Sequence, residues 1–195
     1  MKNIIEVDGR VKTKKPEELV DLPVVVRINK IDAEESFKVF SEEFNKACNN
    51  LQPVIPIIVE SYGGAVDTAI AMGDLIRTAS KPVATIVEGK AMSAEAFLFT
   101  FGANGHQYMG PNARLMIHEV ASWVQGKVNE IKADAAETDR LNTLVLAIMA
   151  KNCGKPADYF LKLIHEKNHA DWYLTPAEAK RHNLTKSRRC GSRYQ

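Results

Sequence analysis

A serine, a histidine and a pair of glycines are the residues of this chain whose types and settings could together support nucleophilic catalysis. Ser93 lies in the segment EGKAMSAEAFLF, among small and apolar residues. A serine hydroxyl becomes an effective nucleophile when a general base lies within reach and N–H groups stabilise the oxyanion that forms. His118, in MIHEV, could supply the base, and Gly63 and Gly64, in SYGGAV, could present unobstructed N–H groups. Each residue is also common in a purely structural role, so the pattern needs support from the rest of the chain.

His118 is the preferred general base among the five histidines. It follows an apolar, strand-like run, and that run should end at the same sheet edge as the turn containing Ser93. The other histidines lie in loop-like or charged helical settings, where a solvated or hydrogen-bonded ring is the simpler interpretation: His106, His165, His169 and His182.

The acid that would orient the base is not decided by composition, because the chain has 24 Asp and Glu residues. Glu119 adjoins His118, but neighbouring residues of a strand point to opposite faces. Asp171 lies before Thr175, which is a predicted helix N-cap followed by Pro176. That setting is equally compatible with a capping or turn aspartate and with a catalytic one.

An alternation of strands and helices must position these side chains. Apolar runs predict buried strands at 23–29, 54–61, 82–89 and 114–120, the third leading directly into the Ser93 segment. Helical spacing predicts helices over about 65–79, 155–167 and 175–183, and an earlier one that buries Phe37, Phe40, Phe44 and Ala47. Asp8-Gly9 predicts a hairpin, and 16–22 a short helix. This order implies an α/β fold with a parallel sheet and right-handed crossovers.

The longest predicted helix runs from Val128 to Asn152, and Gly154 and Pro156 end it. At 1.5 Å per residue it would be about 37 Å long. Apolar residues recur along it at helical spacings. A helix of this length in a chain of 195 residues is expected to place part of its apolar stripe against another subunit.

The composition is typical of one globular domain that needs neither a nucleic acid nor a membrane as partner. The formal net charge is +2, and no apolar run approaches the roughly 20 residues that cross a bilayer. The N-terminus lacks the apolar core of a signal peptide. Three separated cysteines without Cys-x-x-Cys spacing argue against a disulfide framework or a zinc site and favour reduced thiols in the cytoplasm. We expect one domain over 1–186 and a loose basic tail over 187–195.

Four segments of the chain resemble the ClpP family of serine peptidases. SYGGAV (61–66) is similar to the family's Ser-Pro-Gly-Gly loop, and GKAMSAEAFLF (89–99) to the segment around its nucleophile. NARLMIHEV with the following VQGK (112–127) resembles its histidine segment, and DWYLTPAEAKRHNL (171–184) its aspartate segment. Each match is weak alone, but four in the family's order are specific, and the resemblance covers most of the chain.

The resemblance implies a triad of Ser93, His118 and Asp171, with the N–H groups of Gly64 and Ala94 as the oxyanion hole. It implies a ClpP/crotonase-like fold of repeated β-β-α units with a mostly parallel sheet, a protruding handle helix within 121–152 and an axial hairpin within 1–15. It also implies a homo-oligomer of stacked heptameric rings, unfolded proteins or peptides as substrates, and an AAA+ ATPase partner. Neither a metal nor an organic cofactor is implied.

Several positions depart from the family's pattern. Tyr62 replaces a proline in the glycine loop, and Asn183 replaces a glycine near the chain end. Glu95 lies where glycine is usual, and could raise the pKa of His118 or face solvent. His169 and Ala170 stand where the family usually has an Asp-Arg pair that links the two rings.

The sequence therefore predicts a self-compartmentalised serine endopeptidase. A catalytically impaired ClpP-like scaffold subunit is the first alternative, which the retained triad opposes and Glu95 keeps open. A crotonase-type acyl-CoA enzyme is the second, although it would use carboxylates rather than a Ser-His pair. A viral peptidase of the same lineage is the third.

Overall fold

The computed structural model describes residues 4–7, 10–13, 22–32 and 34–185, and folds them as a mixed α/β protein with two sheets and a separate hairpin. The strands are β1 (Ile4–Val7), β2 (Arg10–Thr13), β3 (Val26–Ile28), β4 (Ile55–Val59), β5 (Val83–Val87), β6 (Lys90–Met92), β7 (Gln107–Met109), β8 (Arg114–Ile117) and β9 (Trp172–Leu174). The helices are α1 (Glu34–Asn49), α2 (Val66–Arg77), α3 (Ala94–Phe99), α4 (Val128–Asn152), α5 (Tyr159–Glu166) and α6 (Pro176–Arg181).

The larger sheet is wholly parallel, in the order β3-β4-β5-β7. Its central strands, IPIIV and VATIV, are buried along most of their length, as expected for strands covered on both faces. Helix α1 packs against β3 and buries Phe40, Phe44 and Ala47, while Phe37, the fourth residue of the predicted apolar face, is partly buried against the core. The parallel sheet predicted from the alternation of strands and helices is thus present.

The smaller sheet has the order β6-β8-β9, with β6 parallel and β9 antiparallel to β8. The prediction that the third strand leads directly into the Ser93 segment is wrong, because β5 ends at Val87 and Lys90–Met92 forms a separate strand. The Glu60 carboxylate accepts hydrogen bonds from the N–H groups of Gly89 (2.7 Å) and Lys90 (3.1 Å). These bonds stabilise the turn between β5 and β6. The Ser93 segment consequently belongs to the smaller sheet.

Helix α4 has the predicted bounds, Val128–Asn152, and its two halves differ in burial. Its buried residues, Asn142, Leu146, Met149 and Ala150, all lie in the C-terminal half, which packs against α3 and α5. In the N-terminal half Val128 is 66% exposed and Ile131 41% exposed. This half therefore projects from the domain as a handle.

Three remaining predictions concern the ends of the chain. Strands β1 and β2 pair antiparallel with Val7 opposite Arg10, in agreement with the predicted hairpin, although its turn residues 8–9 lie outside the described residues. The predicted helix at 16–22 falls almost entirely outside them, and the tail at 187–195 entirely. Asn183 has a φ of 61°, the left-handed conformation that asparagine tolerates.

No helix in the described part of the chain is long and apolar enough to cross a membrane.

Candidate active site

One edge of the smaller sheet carries all three predicted triad residues. Ser93 directly follows β6 and His118 directly follows β8, and these two strands are parallel neighbours. Asp171 directly precedes β9, which runs antiparallel to β8. Since an antiparallel strand begins where its neighbour ends, the three residues come from adjacent strands at the same edge.

Ser93 has a backbone conformation that is rare for a residue with a side chain, with φ 56° and ψ −123°. Its N–H donates to the Met116 carbonyl of β8 (2.8 Å), and α3 begins at the next residue. Strain of this kind costs about 1–3 kcal/mol and persists where the surrounding structure requires it. A strained serine in a sharp strand-to-helix turn is the arrangement that exposes a nucleophilic hydroxyl in other hydrolase folds. The identity of the residue as serine does not predict this backbone conformation, so it could not be read from the sequence.

The two glycines of the SYGGAV loop are required by close packing. A Cβ on Gly63, whose φ is 102°, would lie 2.7 Å from both the Ser93 Cβ and the Met92 carbonyl oxygen. A Cβ on Gly64 would lie 1.8 Å from the Ile31 carbonyl oxygen. The Ile31 carbonyl accepts a hydrogen bond from the N–H of Ala65, the residue after Gly64 (2.5 Å). The donor in this bond is therefore not the Gly64 N–H. The missing side chain of Gly63 lets the loop approach Ser93, and that of Gly64 lets it approach Ile31.

A pocket of about 140 Å³ lies between the glycine loop, the Ser93 turn and the end of β8. Ser93, His118, Gly64 and Ala94 all contribute to its lining, so four of the five predicted site residues meet there. The N–H of Ala94, the first residue of α3, has no acceptor within its own helix. The rest of the wall is largely apolar and includes Phe97, Ile117, Val145, Leu146 and Met149.

Asp171 lies beside this pocket rather than in its lining. Within β8 and β9, Ile117 pairs with Trp172, so the same register continued by one residue places His118 opposite Asp171. Cross-strand neighbours have Cβ atoms about 4.5–5.5 Å apart. Asp171 is exposed, and among the described residues no hydrogen bond joins it to His118 or joins His118 to Ser93. Catalytic hydrogen bonds of free enzymes are often long and tighten only when substrate binds.

Glu95 does not face solvent, which was one of the two expectations for it. Its side chain is fully buried, and the Ser61 hydroxyl donates to its Oε1 (2.8 Å). Burial raises the pKa of Glu95 to about 8, and the nearby charge of Glu60 adds to that rise against the opposing hydrogen bond from Ser61. The carboxyl group is therefore mostly protonated at neutral pH.

The Glu95 carboxyl group also connects to the glycine loop. The Gly63 N–H donates to the Ser61 hydroxyl oxygen (3.1 Å), which in turn donates to Glu95. This chain of hydrogen bonds joins the loop to the helix that follows Ser93. Sequence analysis missed the link because it involves a serine and a glutamate in separate segments.

Tyr62, at the family's proline position, does not line the pocket. It is 74% exposed, and the Lys90 ammonium lies 4.6 Å from its ring centroid. The glycine loop thus keeps its close approach to Ser93 without the proline.

The comparison with known protein families agrees with this geometry. The family model described as Clp protease matches residues 13–186. The chain belongs to the Clp protease family. Membership extends over nearly the whole chain, accounts for the mixed α/β architecture with its mostly parallel sheet, and supports a serine peptidase of ClpP type.

Proposed function

We propose that this chain is the peptidase subunit of a self-compartmentalised serine endopeptidase that hydrolyses unfolded proteins and peptides. The observation that carries the proposal is the strained Ser93 turn in one pocket with His118, closed by the Gly64 loop and the start of α3. The family match supports the same chemistry.

In the proposed mechanism His118 accepts the proton of the Ser93 hydroxyl as its oxygen attacks the scissile carbonyl. The backbone N–H groups of Gly64 and Ala94 stabilise the oxyanion, where preorganised donors contribute most to catalysis. His118 then gives the proton to the leaving amine, and a water molecule activated by His118 hydrolyses the acyl-enzyme. Asp171, across from His118 in register, orients the imidazole and stabilises its charged form.

The proposed substrate site combines an apolar pocket with an exposed backbone segment. Phe97, Leu146 and Met149 line the pocket beside Ser93, so we expect an apolar side chain to precede the cleaved bond. Residues 121–126 come directly after Val120 in the chain, are exposed and form no strand in the structure. An extended peptide could pair with this segment by strand addition, whose main-chain hydrogen bonds tolerate many sequences.

The proposed assembly is a pair of stacked heptameric rings that encloses the active sites and receives chains from an AAA+ unfoldase. The exposed apolar residues Val128 and Ile131 on the handle support contacts between subunits. Three cysteines without disulfide spacing fit the cytoplasm, which we propose as the compartment.

A fluorophosphonate probe and a fluorogenic peptide test the proposal on the assembled protein. We expect the probe to label Ser93, and Ser93→Ala to abolish labelling and to lower peptide cleavage by about three orders of magnitude or more. Ser41→Ala is the matched control, because Ser41 lies in α1, its hydroxyl donates to the Lys38 carbonyl (2.8 Å) and it does not line the pocket. An assembled protein that stays unlabelled at Ser93 would contradict the peptidase.

A catalytically impaired scaffold subunit is a second candidate. The exposed position of Asp171, without a hydrogen bond to His118 among the described residues, favours it. The scaffold predicts normal ring assembly with neither labelling nor cleavage, whereas the peptidase predicts both.

A further inference from the structure

A carboxylate and two imidazoles converge at the edge of the pocket, outside the proposed triad, and the carboxylate is that of Glu119, which lines the pocket. Glu119 follows His118 after β8, His165 lies in the last turn of α5, and His169 lies in the connection that leads to Asp171. We propose that Glu119, His165 and His169 form a binding site for a divalent transition-metal ion of the Zn²⁺ class. The sequence predicted no metal site, because that inference rested on cysteine spacing and these ligands come from two distant segments.

The distances between the ligand atoms suit such an ion. The Nδ1 atom of His169 lies 2.8 Å from one carboxylate oxygen of Glu119, and the Nε2 atom of His165 lies 3.7 Å from the other. One ligand atom from each residue can be chosen so that all three lie within 4.8 Å of one another. A tetrahedral Zn²⁺ with bonds of about 2.0–2.2 Å needs its ligand atoms about 3.3–3.6 Å apart. Binding would therefore require rotation of these side chains, which are 51% (His165), 56% (His169) and 31% (Glu119) exposed.

The backbone holds His169 towards this cluster. Asn168 and His169 both have left-handed conformations, with φ of 56° and 58°, although neither is glycine. The His169 N–H donates to the Ile164 carbonyl (3.0 Å), which fastens the turn to the end of α5. The two imidazole rings consequently lie with their centroids 4.6 Å apart. Lys167, the cation of the same turn, lies over the Trp172 ring instead of approaching Glu119.

The chemistry of the ligands selects the class of ion. Two imidazole nitrogens and one carboxylate oxygen suit Zn²⁺, Co²⁺ or Ni²⁺, whereas Mg²⁺ and Ca²⁺ prefer sets made of oxygen atoms. The side chains of His165 and His169 are 51% and 56% exposed, so solvent can enter and a water molecule can complete the coordination.

The position of the site gives the ion a consequence for the proposed peptidase. Glu119 is the residue after His118, and His169 precedes Asp171 by two residues. An ion bound to both would fix the segments that carry the proposed base and its orienting acid. This consequence rests on the proposed function, whereas the binding of the ion does not.

Titration calorimetry of the full chain with ZnCl₂, and absorption spectroscopy with CoCl₂, test the site. We expect one ion per chain and a Co²⁺ spectrum of low-symmetry nitrogen and oxygen coordination without a thiolate charge-transfer band. His165→Ala, His169→Ala and Glu119→Gln should each weaken binding by about tenfold or more, because even the outer partners of metal ligands are worth about 10–100-fold in affinity. His106→Ala is the matched control and should bind as the wild type does, because its ring contacts Tyr108 elsewhere.

Each outcome decides the inference. Loss of binding in the three ligand variants, with circular dichroism of the metal-free proteins unchanged, supports the site. A wild-type chain that binds no ion, or binding that survives His165→Ala combined with His169→Ala, overturns it. Peptide cleavage by the same samples is measured separately, so a chain that binds Zn²⁺ without cleaving peptides would contradict the proposed function and leave the metal site standing.

Discussion

The Ser61 hydroxyl donates a 2.8 Å hydrogen bond to the buried carboxyl group of Glu95, two residues after the proposed nucleophile. The same hydroxyl oxygen accepts the Gly63 N–H, so the pair connects the glycine loop to α3. The second oxygen of Glu95 has no hydrogen-bond partner among the described residues. A charged carboxylate in this setting would be poorly compensated, which explains why burial favours the protonated form.

The buried Glu95 predicts that stability falls as pH rises. Its pKa is raised from 4.5 to about 8 in the folded chain, so between those values the folded state binds more protons than the unfolded state. The free energy of unfolding should therefore decrease across this interval, by a few kcal/mol at about 1.4 kcal/mol per pKa unit, and level off above it.

Urea denaturation of wild type and Glu95→Gln at about pH 5 to 9, an interval that includes the pKa of about 8, would measure this effect. As pH rises, we expect the free energy of unfolding of the wild type to fall relative to that of Glu95→Gln. Glu42→Gln, at an exposed position of α1, is the control and should leave the pH dependence unchanged. A difference that stays constant with pH would show that Glu95 keeps an ordinary pKa.

The packing of Gly63 predicts that a single added methyl group displaces the nucleophile. Gly63→Ala places a Cβ 2.7 Å from the Ser93 Cβ, so kcat/KM for a fluorogenic peptide should fall by about tenfold or more, since small displacements of reacting groups can cost about 10²-fold. Gly105→Ala separates this contact from backbone strain, because Gly105 also has a positive φ, 86°, but a Cβ there meets nothing within 4 Å. The control should lose only about 1–2 kcal/mol of stability and keep its activity. Equal activity of the two variants would refute the steric role of Gly63.

The sequence predicts helices and strands well where buried residues recur at a regular spacing. Phe40, Phe44 and Ala47 show the buried face of α1 directly, and Thr175 with Pro176 marks the start of α6 through a cap that the structure forms. Strands β7 and β9 are only three residues long, so no alternation could reveal them.

The sequence could nominate residues for the candidate site but could not predict their conformations. Ser93 and His118 could be selected because both follow strands of one sheet edge. The positive φ of Ser93 and the protonated Glu95 depend on contacts between distant segments, and no local pattern encodes them. The cluster of Glu119, His165 and His169 escaped detection for the same reason.

The handle predicts a specific effect on assembly. Ile131 is 41% exposed in the projecting half of α4, so Ile131→Asp should leave the fold of the subunit intact while disrupting the proposed contacts between two rings. Native mass spectrometry should then show a species of half the wild-type mass. Val39→Asp, at a similarly exposed apolar residue of α1 (48%), should retain the wild-type mass. A full-size assembly of Ile131→Asp would rule out the handle as the contact between rings.

The register of β8 and β9 predicts that Asp171 acts through His118 rather than through stability. Because Asp171 is exposed and lies opposite His118, Asp171→Asn should unfold at nearly the wild-type temperature while kcat falls by about 10²–10⁴-fold, the range expected when the imidazole loses its orienting acid. The KM should change little, since the carboxylate does not line the substrate pocket. Asp158→Asn removes an exposed carboxylate that pairs with Lys162 and should leave kcat unchanged. If Asp171→Asn retains full kcat while Ser93→Ala is inactive, another group orients His118, and Glu119→Gln becomes the variant to compare, because Glu119 is the carboxylate that lines the pocket beside His118.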